Sequence, residues 1–428
     1  MRIVLLAPFL LFLSAFCFSQ ELSKKEKQVL NEVDVLHGEA LKFLEDVVNI
    51  NSGTLNLEGV QETGDVFRKA FDAIGFDTRW VDMPNEMDRA GHLFAERKGN
   101  KGKRLLLIGH LDTVFDKDSP FQKWTFQDSI AYGPGANDMK GGNVVMLYAL
   151  KALHNQGLLK DTQVIIALHG DEESAGKPIE TSRKDIIEAA KRSDIALGFE
   201  TSSGFNYATV ARRGSSGWQL EVKGKQAHSS GIFNERVGAG AVFEASRILY
   251  QFYDQLSSEA LLTFNPGTIA GGTRVEVNSE NSTMSTYGKS NIVAQRVVVK
   301  GGLRFISEEQ KDKARENMRK IVADHLPRTS ATITFTDSYP AMPPTEGNLA
   351  LLQQLNQLSL DLGQGEVKAY DPGRRGAADI SFVAQYVDGL DGLGTMGRGA
   401  HSPNEYMDLR TFKALVQRTA LFIYRLTR

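Results

Sequence analysis

At 428 residues the chain is long for a single hydrophobic core, so two domains are expected. With 41% hydrophobic residues, 24% charged residues and a formal net charge of −2, it has no electrostatic reason to bind nucleic acid or an anionic surface. Cys17 is the only cysteine, which excludes a disulfide framework, thiolate zinc sites and, once the leader is removed, a cysteine nucleophile. Met1-Arg2 leads into IVLLAPFLLFLSAFCF, apolar and uncharged, and then into the polar run SQELSKKEK. A basic start, an apolar middle and the small residues Cys17 and Ser19 describe a signal peptide over 1–19, cut after Ser19, and hence a secreted or periplasmic protein. A membrane anchor is the alternative, but the span is short for a bilayer. Lipid attachment at Cys17 is opposed by the bulky Phe16 before it. No later stretch is long and apolar enough to span a membrane, so the mature chain is expected to insert in none.

Apolar positions from Val29 to Val48 recur at helical spacing and predict a helix over about 22–50. GVQETGDVFRKAFDAIG predicts a second helix ending at Gly75, followed by strands at DTRWV, HLFAER and RLLLIG. Met139 to His154 is helical again, TQVIIALH is a buried strand, a helix covers about 182–192, and strands follow at DIALGF and YATVA. This alternation argues for an α/β domain with a largely parallel sheet. The active site of such a sheet forms beyond the carboxyl ends of its strands. Near Arg213 the character changes: GWQLEVKG alternates as a half-buried strand, a helix spans about 236–257, strands occupy 263–305, and a helix covers about 307–326. AGGTRVEVNSENSTMSTYGKSN is expected to be an exposed hairpin or loop. These elements predict a small α+β domain over 214–327, inserted between a first catalytic part at 20–213 and a second at 328–428. DSYPAMPPTEGN marks the return, and helices at about 347–361 and 411–426 complete the chain.

Chemistry-bearing residues fall where strands give way to loops: His110 and Asp112 in LLLIGHLDTV, Asp138 in GPGANDMKGG, Glu172 and Glu173 in VIIALHGDEESAG, Glu200 in IALGFE, and His401 in GRGAHSPNEY. Two imidazoles and several carboxylates are the ligand types that zinc and similar divalent ions take. A glutamate beside a ligand glutamate supplies the base for a metal-activated water. Alternation along the strand end would put His110 and Asp112 on one side, one binding metal while the other orients it. Asp138 also reads as a helix N-cap, and adjacent acids such as Glu172 and Glu173 are commonly just solvated. Two neighbouring carboxylates repel, so cations or raised pKa values must compensate.

In this order the motifs closely resemble the dinuclear zinc exopeptidases related to bacterial glutamate carboxypeptidase, aminoacylase, succinyl-diaminopimelate desuccinylase and tripeptide aminopeptidase, over nearly the whole mature chain. The resemblance implies a mostly parallel-sheet catalytic domain, an inserted ferredoxin-like lid and dimerisation domain, and two zinc ions per subunit. It makes His110, Asp138, Glu173, Glu200 and His401 ligands, with Asp138 bridging and followed by a cis peptide to Met139. Asp112 becomes the carboxylate that orients His110, and Glu172 the general base. GKQAHSS implies that His228 stabilises the oxyanion across a homodimer, and KSNIVAQ makes Asn291 a substrate contact. Arg304 in GGLRF, with Arg374 or Arg375, would hold a free carboxylate. Three departures fall on the substrate side: Gly302 where the family usually has aspartate, Ala378 where a hydroxyl is usual, and Val293 where a proline is usual. The expected activity is that of a carboxypeptidase acting on small peptides. A deacylase of N-acyl amino acids, a di- or tripeptide aminopeptidase, and a non-catalytic periplasmic binding protein are the alternatives.

Overall fold

The computed structural model describes residues 21–278 and 282–428, so the expected signal peptide lies outside the described residues. Ser23 opens the first helix, Lys24–Val48, with a capping box: its hydroxyl accepts the Glu26 N–H while the Glu26 carboxylate accepts the Ser23 N–H. Val29, Val33, Leu36, Ala40, Leu44 and Val47 form its buried stripe. That stripe packs against helices Lys140–Asn155 and Leu409–Leu426.

The central sheet has six strands in the order Asp77–Val81, His92–Arg97, Thr162–His169, Lys101–His110, Ile195–Gly198 and Asp388–Leu390. The last four run parallel, and the first two are antiparallel additions at one edge. Both faces are covered, as continuous aliphatic strands require. Leu105 and Leu107 join the core under the three long helices, while Leu106 and Ile108 join the opposite layer with Ile186 and Ile380. Parallel register sets His110 opposite His169 and Ile108 opposite Gly198, so three neighbouring strands end nearly level.

The chain leaves this body after Arg213 and builds a strand–helix–strand–strand–helix–strand unit. Its four antiparallel strands lie in the order Thr263–Gly272, Arg296–Phe305, Gly214–Lys223 and Ser330–Asp337. That connectivity is the ferredoxin-like arrangement. A separate core forms around Trp218, Leu220, Phe252, Leu303 and Met318. The fourth strand lies past the expected boundary at 327, so the inserted unit extends to Asp337. SATITFTD turns Ala331, Ile333 and Phe335 toward that core and its polar residues outward, and it pairs with Gly214–Lys223. The expected hairpin is present as Arg274–Asn278 paired with Thr283–Tyr287. The strand expected at YATVA shortens to Tyr207–Ala208, and the helix expected over 182–192 divides into Ile179–Ser182 and Lys184–Ala190. Among the described residues no helix is long and apolar enough to cross a membrane.

Candidate metal centre

Three level strand ends deliver the first groups. His110 ends Lys101–His110, Glu172 and Glu173 follow Thr162–His169, and Glu200 follows Ile195–Gly198. Asp138 arrives from the GPGAN turn and begins the approach to helix Lys140–Asn155, with a cis peptide to Met139 as expected. That helix must lie close to the strand ends. A Cβ at Gly142 would stand 2.0 Å from the Phe199 carbonyl, and one at Gly109 would stand 2.0 Å from Asn143 Oδ1. His401 comes from the turn between Gly397–Arg398 and Tyr406–Asp408, which pairs with Ile130–Tyr132 just ahead of the Asp138 turn.

The donors divide into two sets sharing one carboxylate. His110 Nε2 lies 3.6 Å from Asp138 Oδ1 and 3.7 Å from Glu200 Oε1. His401 Nε2 lies 3.4 Å from Asp138 Oδ2 and 3.0 Å from Glu173 Oε2. These separations leave room for an ion at about 2.0–2.2 Å from each donor. His110 Nδ1 faces the Asp112 carbonyl at 2.9 Å, so it carries a proton and Nε2 is the ring nitrogen turned to the cluster. Nε2 is buried and has no hydrogen-bond partner. Burial pushes the Glu200 carboxyl up to about 7, with the Asp138 charge adding to it, and burial raises Glu172 and Glu173 as well. Hydrogen bonds to Asp138 and Glu173 hold His401 up to about 11, so the second set attracts positive charge strongly. An orphaned nitrogen, a shared carboxylate and mutually repelling acids fit a pair of divalent cations.

An oxygen of Glu172 lies within 4.8 Å of the donor atoms of His110 and Glu200, at the edge of the first set. Asp112 does more than face the His110 ring. Its carboxylate accepts the main-chain N–H groups of Glu172 and Glu173, both at 3.1 Å, and the Thr54 hydroxyl at 2.7 Å. The same carboxylate stands 3.4 Å from His110 Nδ1, beside the Asp112 carbonyl that accepts from that nitrogen at 2.9 Å.

Glu405 was not singled out in the sequence, although it lies four residues after His401 in HSPNEY. It is buried and accepts the N–H groups of Asn137 and Asp138 at 2.9 and 3.0 Å. Burial pushes its carboxyl up to about 7 despite these bonds.

Of the expected substrate arginines, Arg375 donates to the Thr201 carbonyl at 3.2 Å, beside the Glu200 turn, and its Nε is buried without a partner. Burial and the nearby Arg212 pull it down to about 10. Arg374 instead lies exposed over the Tyr370 ring. The two differ because the short helical turn Pro372–Arg374 aims adjacent side chains in different directions. Arg212, also missed, pairs with Asp391 at 2.6 Å and leaves a buried Nη2 free of partners. The charges of Glu200 and Glu172 act on it. Arg304 is on the inserted unit, where partial burial and then the nearby Arg213 charge lower its pKa. His228 and Asn291 also lie on that unit and meet each other: the Ser229 N–H donates to the Asn291 carbonyl at 2.9 Å, and His228 bridges to Ile292. His228 is exposed, its ring bonded to Ser230, and no described contact joins it to the carboxylate cluster.

Among curated proteins, carboxypeptidase G2 of Pseudomonas sp. (strain RS-16) is 28% identical over 407 residues, covering 92% of this chain and 91% of that protein. Succinyl-diaminopimelate desuccinylase of Gluconacetobacter diazotrophicus is 24% identical over 374 residues, covering 84% and 91%. Among solved structures, the aminopeptidase PepT of Bacillus cereus superposes with a TM-score of 0.70 at 16% identity, covering 94% of this chain and 99% of that one. It shares the fold. Residues 106–425 match the model of peptidase family M20/M25/M40, which bears out the resemblance read from the motifs: the chain belongs to this family of metallopeptidase-type hydrolases.

Proposed function

We propose that the protein is a carboxypeptidase, hydrolysing an amide bond next to a free carboxylate in small peptides, with two zinc ions held by His110, Asp138, Glu173, Glu200 and His401. The sharing of Asp138 between two donor sets with Glu172 at their edge is the observation that carries this reading. Cations bound there would polarise the amide carbonyl and lower the pKa of water. Glu172 takes the proton of the attacking water and returns it to the leaving nitrogen, so the products are an acid and an amine. Arg375 and Arg212, each with a buried unpartnered nitrogen beside Glu200, favour a substrate carboxylate on this side, and Arg304 is the candidate from the inserted unit. N-blocked dipeptides with a free C-terminus should be cleaved at least 100-fold faster than their C-terminal amides, because losing a charge-paired contact costs several kcal/mol. Faster cleavage of C-blocked dipeptides with a free amine would make it an aminopeptidase. Deacylation of N-acyl amino acids is the second reading, favoured by the likeness to the desuccinylase, since those substrates carry the same carboxylate.

The inserted unit supports a homodimer. Helix Gly240–Leu256 buries Ala241, Ala245, Ile248 and Phe252 on one face and exposes Val242, Phe243, Tyr250 and Tyr253 on the other, next to Phe233. An aromatic face left to solvent is an interface signal. In our reading the second copy covers it and supplies His228 to the oxyanion. Tyr250→Glu combined with Tyr253→Glu should halve the mass seen by light scattering and cut turnover at least tenfold with metal content unchanged. A parent protein that is already monomeric would rule out this arrangement. Export by a cleaved signal peptide is part of the same proposal.

A further inference from the structure

The general base proposed above is rooted in a peptide whose polar groups are all engaged. Its N–H, and that of Glu173, bind the Asp112 carboxylate at 3.1 Å. Its carbonyl accepts the Tyr339 hydroxyl at 2.9 Å. Asp171, just before it, is fully buried: one carboxylate oxygen meets Arg183 at 2.5 Å, the other accepts the Ser182 hydroxyl at 2.7 Å and the Gly176 N–H at 2.8 Å. Arg183, itself fully buried, also meets Asp379 at 2.8 Å and donates to the Tyr339 oxygen at 3.4 Å. Asp379 in turn holds His169, the last residue of the strand leading to Glu172, at 2.5 Å.

Tyr339 is not part of this catalytic body's sheet. It lies two residues beyond strand Ser330–Asp337, on the segment by which the chain leaves the inserted unit. Its carbonyl accepts the Ser215 N–H at 2.8 Å, and three residues on, Arg212 and Met342 exchange main-chain bonds at 2.9 and 3.0 Å. The outgoing and returning crossings are therefore joined side by side. The ring rests against Phe382 with centroids 5.0 Å apart, which fixes the direction of the hydroxyl.

We propose that Tyr339 is a positioning residue for Glu172: from the returning crossing, backed by Arg183, its hydroxyl fixes the main-chain carbonyl from which the base projects. This rests on the reading of Glu172 as the base. The side chain touches neither donor set, so it acts only through the placement of the Glu172 carboxylate. Proton transfer is steep in geometry, and misplacement by a fraction of an ångström lowers kcat without altering ground-state binding. Phenylalanine keeps the ring and removes the oxygen, so it leaves the Glu172 carbonyl without this donor while the packing on Phe382 stays.

The test uses the full chain loaded with zinc. Tyr339→Phe should lower kcat about tenfold, with KM within about twofold, two ions per chain retained and the melting temperature within about 2 °C. In a Glu172→Gln background the same change should leave the residual rate unaltered, because the group through which Tyr339 acts is gone. A loss of equal size in both backgrounds would mean a merely structural role and overturn the proposal, as would a single variant with parental kcat. Parental turnover in Glu172→Gln alone would instead remove the base assignment, and this inference with it.

Discussion

Glu172→Gln is expected to lower kcat by about 10³–10⁴-fold while both metal ions stay bound and the fold is undisturbed. The substitution keeps the shape of the side chain and removes only its capacity to take a proton. Its main-chain anchors, Asp112 and Tyr339, do not depend on the carboxylate. Glu172 is also raised well above the usual carboxylate range, by burial first and then by the Glu200 charge, so the neutral amide is tolerated where it stands. KM should change by no more than about threefold, because the base acts in the transition state and not in substrate binding. Steady-state rates with metal content from the same sample check this. A variant retaining more than about a tenth of parental kcat would leave Glu172 without the role of base.

The second large effect concerns Asp138. Its two oxygens face different donor sets, Oδ1 toward His110 and Oδ2 toward His401. Asp138→Ala should therefore release both ions, and His401→Ala only the one shared with Glu173. Mass spectrometry of the native protein should count zero ions in the first variant, one in the second and two in the parent. Loss of a single ion from Asp138→Ala would show that its carboxylate does not bridge. Chelation of the parent should lower the melting temperature by on the order of 5–10 °C, since an ion held at 1,000-fold over its Kd contributes about 4 kcal/mol. The direction follows from charge. Without cations, Asp138, Glu172, Glu173 and Glu200 confront one another, and Glu172, Glu173 and Glu200 are raised by burial first and by neighbouring carboxylate charge after it. Restoring zinc should return both stability and turnover.

The donor set was legible because each member carries a short-range signature. A run of aliphatics such as VIIALH ends, a turn begins, and an acid or histidine stands at the junction; the parallel register then brings His110, Glu172 and Glu200 level. The inserted α+β unit was legible from its own alternation of strand and helix patterns in three of its four strands, while its ferredoxin-like arrangement was implied by the resemblance. Its last strand lies past the expected boundary at 327, although SATITFTD alternates Ala331, Ile333 and Phe335 with polar residues as a half-buried strand does.

Other features could be settled only by the folded chain. Asp112 and Asp138 are both acids after a strand or turn, yet one clamps main-chain N–H groups and the other faces two histidines, and no local pattern separates those roles. Arg374 and Arg375 are neighbours with opposite fates. Glu405 reaches Asn137 across 268 positions, and Tyr339 reaches Glu172 across 167. Residue type and periodicity are properties of adjacent positions, so the amino-acid order alone determined which groups stand at the strand ends and which kind of ion suits them. Which oxygen meets which nitrogen is a property of distance through space, set when helix, turn and crossing pack together, and only the tertiary structure decided it.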